Sequence, residues 1–190
     1  ITYITNLTAK AVKLVIFLSY LKITNIYDII YYKLKERRVL YMLYIYIDGS
    51  CKGNGKENSK GGFGIVIFDN DNNLIDAYCE YFTNATNNQM ELKAFLKTFE
   101  LLNTKYKNQQ ATVYSDSAYC VNILNSWIYS WSKNGWKNSK NETIKNLDII
   151  LSLYEYYNIN FFIGQIYIIK VNSHKGLVGN ELADALACNN

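Results

Sequence analysis

The sequence contains no proline, while isoleucine, tyrosine, lysine and asparagine are abundant, a skew that an AT-rich coding sequence imposes without any structural cause. It contains one histidine, His174, and four cysteines, Cys51, Cys79, Cys120 and Cys188, with no Cys-x-x-Cys pair. That spacing excludes a zinc cluster and a disulfide frame, so the cysteines read as free thiols of a reducing, cytoplasmic compartment. No Gly-Lys-Ser/Thr follows the glycines between Cys51 and Gly64, which excludes a nucleotide-phosphate cradle. The apolar stretch Ala11 to Leu21 is interrupted by Lys13 and has about half of the ~20 residues that a membrane span needs. No clear small-residue cleavage site comes after it, so it is a poor signal-peptide core as well.

Net positive charge is also missing from most of the chain. The formal charge is +4, but Lys10, Lys13, Lys22, Lys33, Lys35, Arg37 and Arg38 against Asp28 and Glu36 leave +5 before Met42 and therefore −1 for the remainder. Whole-chain basicity cannot be used to argue that the main body binds phosphate. Residues 1–40 fit poorly with the rest of the chain, and the first methionine is Met42. The expected organisation is a leader over 1–40, either upstream reading frame or the remnant of a preceding segment, and one domain over 41–190.

The residues that are present suit a globular domain. The chain has 190 residues, 49% of them hydrophobic and 19% charged, which excludes a disordered protein and allows one well-packed core plus an appendage. Tyr41 to Asp48 is an aromatic and β-branched run, and its consecutive apolar residues predict a central strand buried on both faces that ends on a carboxylate. Asp48-Gly49 also reads as a turn dipeptide. The glycine-rich stretch Cys51 to Gly64 reads as a flexible turn, and strands are predicted at Ile65 to Phe68 and Leu74 to Phe82, separated by the turn Asp69 to Asn73. Together they make an antiparallel meander.

Asn87 and Asn88 can cap a helix to about Tyr106, with Leu92, Phe95, Phe99, Leu102 and Tyr106 recurring at spacings of three and four. Glu91 lies on or beside that apolar stripe, and an inward acid needs a partner. Ala111 to Ser115 predicts a further strand ending at Asp116, and Ser117 can cap a helix over Ala118 to Leu124. Trp127, Trp131 and Trp136 are interleaved with Lys133, Lys137 and Lys140, which fits either core packing or a surface that stacks bases and holds phosphates. Ile144, Leu147, Leu151 and Tyr154 mark another helix. Gln165 to Val171 is a strand, Asn172 to Gly176 a loop carrying His174, and Asn180 to Cys188 a last helix with Glu181 and Asp184 one turn apart.

Asp48, Glu91, Asp116 and Asp184 therefore stand at two strand ends and on two helices, with no basic neighbour in sequence. Acids that converge repel, and a divalent cation relieves the repulsion. Hard oxygen donors without a histidine or cysteine cluster favour magnesium or manganese over zinc. His174 lies in a glycine-containing loop rather than on an apolar stripe, which points to proton handling.

Ile47-Asp-Gly-Ser50, Thr86-Asn-Asn-Gln-Met-Glu-Leu92, Tyr114-Ser-Asp-Ser117, Val171-Asn-Ser-His-Lys-Gly176 and Asn180-Glu-Leu-Ala-Asp184 resemble type 1 ribonuclease H, bacterial-like with a basic protrusion, in order and approximate spacing from Met42 to Cys188. The resemblance implies an α/β fold with a five-stranded mixed sheet, three antiparallel strands then two parallel, flanked by helices. It implies an endoribonuclease that hydrolyses the RNA strand of RNA–DNA hybrids and leaves 5′-phosphate and 3′-hydroxyl ends. Asp48, Glu91, Asp116 and Asp184 match the metal-binding carboxylates, here for two Mg2+ ions with Mn2+ as an alternative, ~3.5–4 Å apart. His174 matches the family's mobile histidine.

By the same resemblance, backbone around Cys51 together with Asn54, Asn87, Asn88 and Glu91 meets the RNA strand, whose 2′-OH distinguishes it from DNA. Thr86 matches a residue that holds a DNA phosphate. Trp127 and Trp131 would line the DNA channel, with Lys133 and Lys137 touching phosphates. The expected partner is the hybrid, with no membrane and no obligatory protein partner, the chain acting as a monomer. Two departures stand out: Ala118 replaces a frequent glutamine, and no arginine follows Arg38, so the bidentate phosphate grip is missing. Three other readings compete. They are an idle hybrid-binding module, which loss of an acid would mark, the ribonuclease H domain of a larger reverse transcriptase, and a DNA nuclease of the same broad superfamily.

Overall fold

The computed structural model describes residues 42–107, 109–158, 165–173 and 175–188. The leader expected over 1–40 and His174 lie outside the described residues. Those described belong to one compact unit, Tyr41–Asn190.

Five strands form one mixed sheet in the order β3-β2-β1-β4-β5. Strands β1 (Met42–Lys52), β2 (Lys60–Phe68) and β3 (Leu74–Thr83) make the expected antiparallel meander. Strands β4 (Gln110–Ser115) and β5 (Ile166–Lys170) extend the sheet in parallel from β1. The first strand is therefore central, as its residues predict, but its two faces differ. Leu43, Ile45 and Ile47 are fully buried, whereas Met42, Tyr44, Tyr46 and Asp48 are half-buried. Tyrosine suits that second face, because its ring is covered while its hydroxyl keeps access to water.

Nor does the strand turn at Asp48-Gly49. It runs on to Lys52, and Gly49 is there because helix α1 (Asn87–Asn103) crosses it so closely that a Cβ would lie 2.3 Å from the Glu91 backbone nitrogen. The same reasoning corrects the glycine-rich stretch. Only Gly53 to Ser59 forms the turn, and β2 starts at Lys60, so Gly61, Gly62 and Gly64 are strand residues. Their missing side chains admit neighbouring backbone and side-chain atoms. A Cβ on Gly64 would lie 2.1 Å from the Ala183 carbonyl of helix α5 (Val178–Cys188) and one on Gly62 would lie 2.7 Å from that of Ala187.

Helix α1 starts one residue beyond its cap, Thr86. The Thr86 hydroxyl accepts the Gln89 N–H at 3.3 Å and the Gln89 side chain accepts the Thr86 N–H at 2.9 Å, a capping box in place of the expected asparagine cap. It ends at Asn103, so Tyr106 lies past it. Leu92, Phe95, Phe99 and Leu102 are buried against Leu43, Ile45 and Ile47 of β1, Ile65 and Ile67 of β2 and Val113 of β4. Each such side chain contributes about 1.5–3 kcal/mol on full burial.

The helix expected from Ala118 to Leu124 is longer and irregular. It comprises α2 (Ala118–Asn122), a π-helical turn over Ile123–Trp127 and α3 (Ile128–Lys133). The extra residue of the π turn shifts the phase, keeping Ile123, Leu124 and Ile128 buried while leaving Trp127 39% exposed. Helix α4 (Leu147–Asn158) buries Ile149, Ile150 and Leu153, so Leu151 is on its outer side and Ile144 precedes it.

Candidate active site

Asp48 lies on β1 and Asp116 directly after β4, its parallel neighbour, so two carboxylates arise at adjacent strands. Glu91 lies in the second turn of α1 and Asp184 in the middle of α5, and the charges of both act on the Asp48 carboxyl. All four are half-buried. Their proximity shows in Asp48: burial first, then the charge of Asp116, opposed by the Gly49 N–H, and then Asp184 and Glu91 push its carboxyl up to about 7. The Gly49 N–H donates to Asp48 Oδ1 at 2.7 Å.

Glu91 is the most firmly held of the four. Its Oε1 accepts from Asn87 Nδ2 at 3.0 Å, and its Oε2 accepts from the Ser117 hydroxyl at 2.5 Å and from Cys120 Sγ at 3.7 Å. Burial raises its pKa, the Ser117 bond lowers it and the Asp116 charge raises it, with a net shift upward. Ser117 serves twice, because its oxygen also accepts the Cys120 N–H at 3.3 Å and so caps α2. Asp184 Oδ1 accepts from Cys188 Sγ at 3.3 Å.

Among the described residues the ion pairs are Lys97 with Glu80 and Glu100, and Lys105 with Asp76. None of the four acids is neutralised by them. Nor, among the described residues, are three histidine, cysteine, aspartate or glutamate side chains drawn into a formed metal-ligand group. Uncompensated like charges keep such a set apart. The side chains fit a hard divalent cation: they are carboxylates, half open to water, and none has an ion-pair partner among the described residues.

The residues expected to meet substrate fall into two groups. Around the start of α1, Asn54 Oδ1 accepts the Asn87 N–H at 2.9 Å, fastening the 53–59 turn to the helix. The Ala85 carbonyl gathers the Gly55 N–H at 3.2 Å, Cys51 Sγ at 3.2 Å and the Ser59 hydroxyl at 2.8 Å. Cys51, Asn54, Thr86, Asn87 and exposed Asn88 are thus assembled on the Glu91 side of the sheet.

The second group is the tryptophan and lysine segment. Trp127 and Trp131 are paired with ring centroids 5.6 Å apart, and Tyr119 meets Trp127 edge-on at 6.3 Å. The Tyr119 pKa is raised chiefly by burial, with a small further push from the Glu91 charge. Trp136 is not paired with Trp127 and Trp131; its ring meets Tyr154 edge-on at 5.0 Å and, like Trp131, it is half-buried against the core. Lys133, Lys137 and Lys140 are exposed. His174 lies outside the described residues.

Sequence reasoning missed three contacts: the Ser117 clamp on Glu91, the edge-on packing of Tyr119 on Trp127, and the Cys188 thiol beside Asp184. The spacing of four between Asp184 and Cys188 on one helix carried that last signal.

A family model described as RNase H matches residues 41–190. The chain is 35% identical over 147 residues to the ribonuclease H of Clostridium botulinum strain Hall, covering 75% of this chain and 91% of that protein. It is 37% identical over 143 residues to the ribonuclease H of Legionella pneumophila strain Corby, covering 75% and 92%. Among solved structures it resembles LC9-RNase H1, a type 1 RNase H with the type 2 active-site motif, with a TM-score of 0.63 and 26% identity over 77% of this chain and 70% of that one. Its fold also matches the foamy viral protease-reverse transcriptase in complex with an RNA/DNA hybrid, with a TM-score of 0.67 and 20% identity over 78% of this chain and 20% of that one.

Proposed function

The chain belongs to the ribonuclease H family, hydrolases that degrade the RNA of RNA–DNA hybrids, and from that membership we propose that it is an endoribonuclease cutting the RNA strand to leave 5′-phosphate and 3′-hydroxyl ends. Asp48, Glu91, Asp116 and Asp184 would hold the divalent cations that the family uses, two Mg2+ ions, with Mn2+ as the alternative. When bound, these supply a water of lowered pKa and charge stabilisation for the leaving 3′ oxygen.

The protein's own share is placement. Asn87 and Ser117 fix both oxygens of Glu91, so that carboxylate enters the reaction already oriented rather than being ordered by substrate. Asp48, on the central strand β1, would help to hold both ions. His174 is proposed to carry a proton to or from the departing oxygen, or to help product leave. Recognition of the 2′-OH is assigned to Asn54, Asn87, Asn88, Glu91 and backbone near Cys51, the donors and acceptors that a DNA strand would leave unpaired. Thr86 is assigned to a DNA-strand phosphate, Trp127 and Trp131 to the DNA backbone channel, and Lys133 and Lys137 to phosphates beyond it.

The observation that supports this most is the Asp48 carboxyl, raised to about 7 by burial and by acids from three other chain segments. The test is cleavage of a hybrid, an RNA duplex and a DNA duplex in parallel with Mg2+, for the wild type and Asp48→Asn. Hybrid-only cleavage that the substitution abolishes is expected. Equal activity of the variant overturns the assignment.

A further inference from the structure

The four acids are not held alike. Glu91 is clamped by an amide and a hydroxyl, and Asp48 by a backbone N–H. Among the described residues, the Asp184 carboxylate has one hydrogen-bond partner, Cys188 Sγ at 3.3 Å, one turn on along α5. The same sulfur lies 3.2 Å from Ser50 Oγ, on β1 and two residues beyond Asp48, hence on the same face of the strand. A thiol has one proton. If it goes to the carboxylate, the Ser50 contact must run the other way, with the hydroxyl donating to sulfur. The result is a directed chain, Ser50 O–H to Cys188 Sγ and Cys188 S–H to Asp184 Oδ1, joining the strand that carries one acid to the helix that carries another.

We propose that Cys188 is a positioning residue for the Asp184 carboxylate, tying α5 to β1 through Ser50 so that Asp184 faces the cations. This rests on the reading of Asp184 as a cation ligand. A thiol is a weak donor, so the tether biases the carboxylate without competing strongly for it, and the carboxylate can turn to a cation while keeping its place on the helix. Loss of a partner of this kind around a metal ligand costs metal affinity or activity, and a tether that only places the carboxylate should show in affinity.

The test is calorimetric titration of Mn2+ into the substrate-free protein for the wild type, Cys188→Ala, Cys188→Ser, Ser50→Ala and Asp184→Asn, with melting in EDTA and hybrid cleavage against Mg2+ concentration alongside. Cys188→Ala is expected to weaken Mn2+ binding by roughly 10-fold. It should raise the Mg2+ concentration for half-maximal cleavage to match, and leave KM for the hybrid and kcat at saturating Mg2+ near the wild type. Cys188→Ser, which restores a donor, is expected to recover most of the binding, and Ser50→Ala to fall between. Wild-type Mn2+ binding by Cys188→Ala overturns the proposal, whatever its melting temperature. Equal losses in the alanine and serine variants also overturn it, since they mark a packing role. Asp184→Asn separates the two readings: if it leaves Mn2+ binding intact, the ligand assignment fails, whereas if it loses binding while Cys188→Ala does not, only the tether fails.

Discussion

At the scale of single residues, the protein places negative charge where folding alone would avoid it. The Asp48 carboxyl titrates near 7 in the folded chain against an ordinary 3.8. Between those values the folded state holds a proton that the unfolded state has released, so metal-free stability falls as pH rises from about 4 to about 7. Asp48→Asn is therefore expected to abolish cleavage yet stabilise the protein in EDTA at pH 8 by roughly 1–3 kcal/mol, with little gain at pH 4. Urea melts of both proteins at the two pH values check this, and a variant no more stable than the wild type at pH 8 contradicts it. Ser117→Ala should leave Glu91 Oε2 with only the weak Cys120 thiol contact and remove the α2 cap, costing about 1 kcal/mol of stability and lowering kcat at saturating Mg2+. The four acids could be singled out in sequence as candidates, but the expected strand-end position fits Asp116 alone, since Asp48 lies within β1 and Asp184 in the middle of α5. Ser117 was legible only as a cap, because nothing in a linear pattern says that a hydroxyl at one helix start faces an acid on another helix.

At the scale of elements, the differences between sequence and structure share a cause. In sequence, glycine signals a turn at Gly49, Gly61, Gly62 and Gly64, and each instead marks a place where another element comes within van der Waals range of the strand. The number of residues on a strand is local information, but which partner presses on it is not. The same holds for the π turn, whose extra residue is tolerated only because Ile123 and Ile128 must both stay inside. The close seat of α5 predicts that Gly64→Ala, whose Cβ would meet the Ala183 carbonyl, costs about 1–3 kcal/mol. It should also shift Asp184 and so depress cleavage at temperatures where the variant is still folded, which activity measured well below its melting point will show. At the other helix, Thr86→Ala should remove the capping box and lower stability by about 1 kcal/mol, readable as a lower melting temperature.

At the scale of the whole molecule, the meander was legible because hydrophobic runs and turn residues mark its strands, whereas the order of the full five-stranded sheet came only with the family resemblance. The partly open second face of β1 was not legible, since it depends on how much of the sheet one short helix covers. Charge is distributed without regard to the proposed substrate: the part of the chain from Met42 onward carries a formal −1 and no arginine. Phosphate contact then falls to lysines, which act as point charges rather than paired donors. KM for a hybrid is expected to rise steeply with salt, and a flat dependence between 50 and 200 mM, roughly the range over which multi-phosphate contacts weaken most visibly, contradicts the assignment of Lys133 and Lys137. Among the described residues no helix is long and apolar enough to cross a membrane.

The seating of α5 directly on the glycines of β2 has a consequence for synthesis. Three of the acids are in place once the ribosome has delivered β4, but the fourth arrives only with Asp184, much later in translation. A nascent or prematurely terminated chain that stops short of that helix would leave the β2 glycines uncovered and lack one of the four proposed cation ligands, and on that assignment it could not cut the nucleic acids crowded around it.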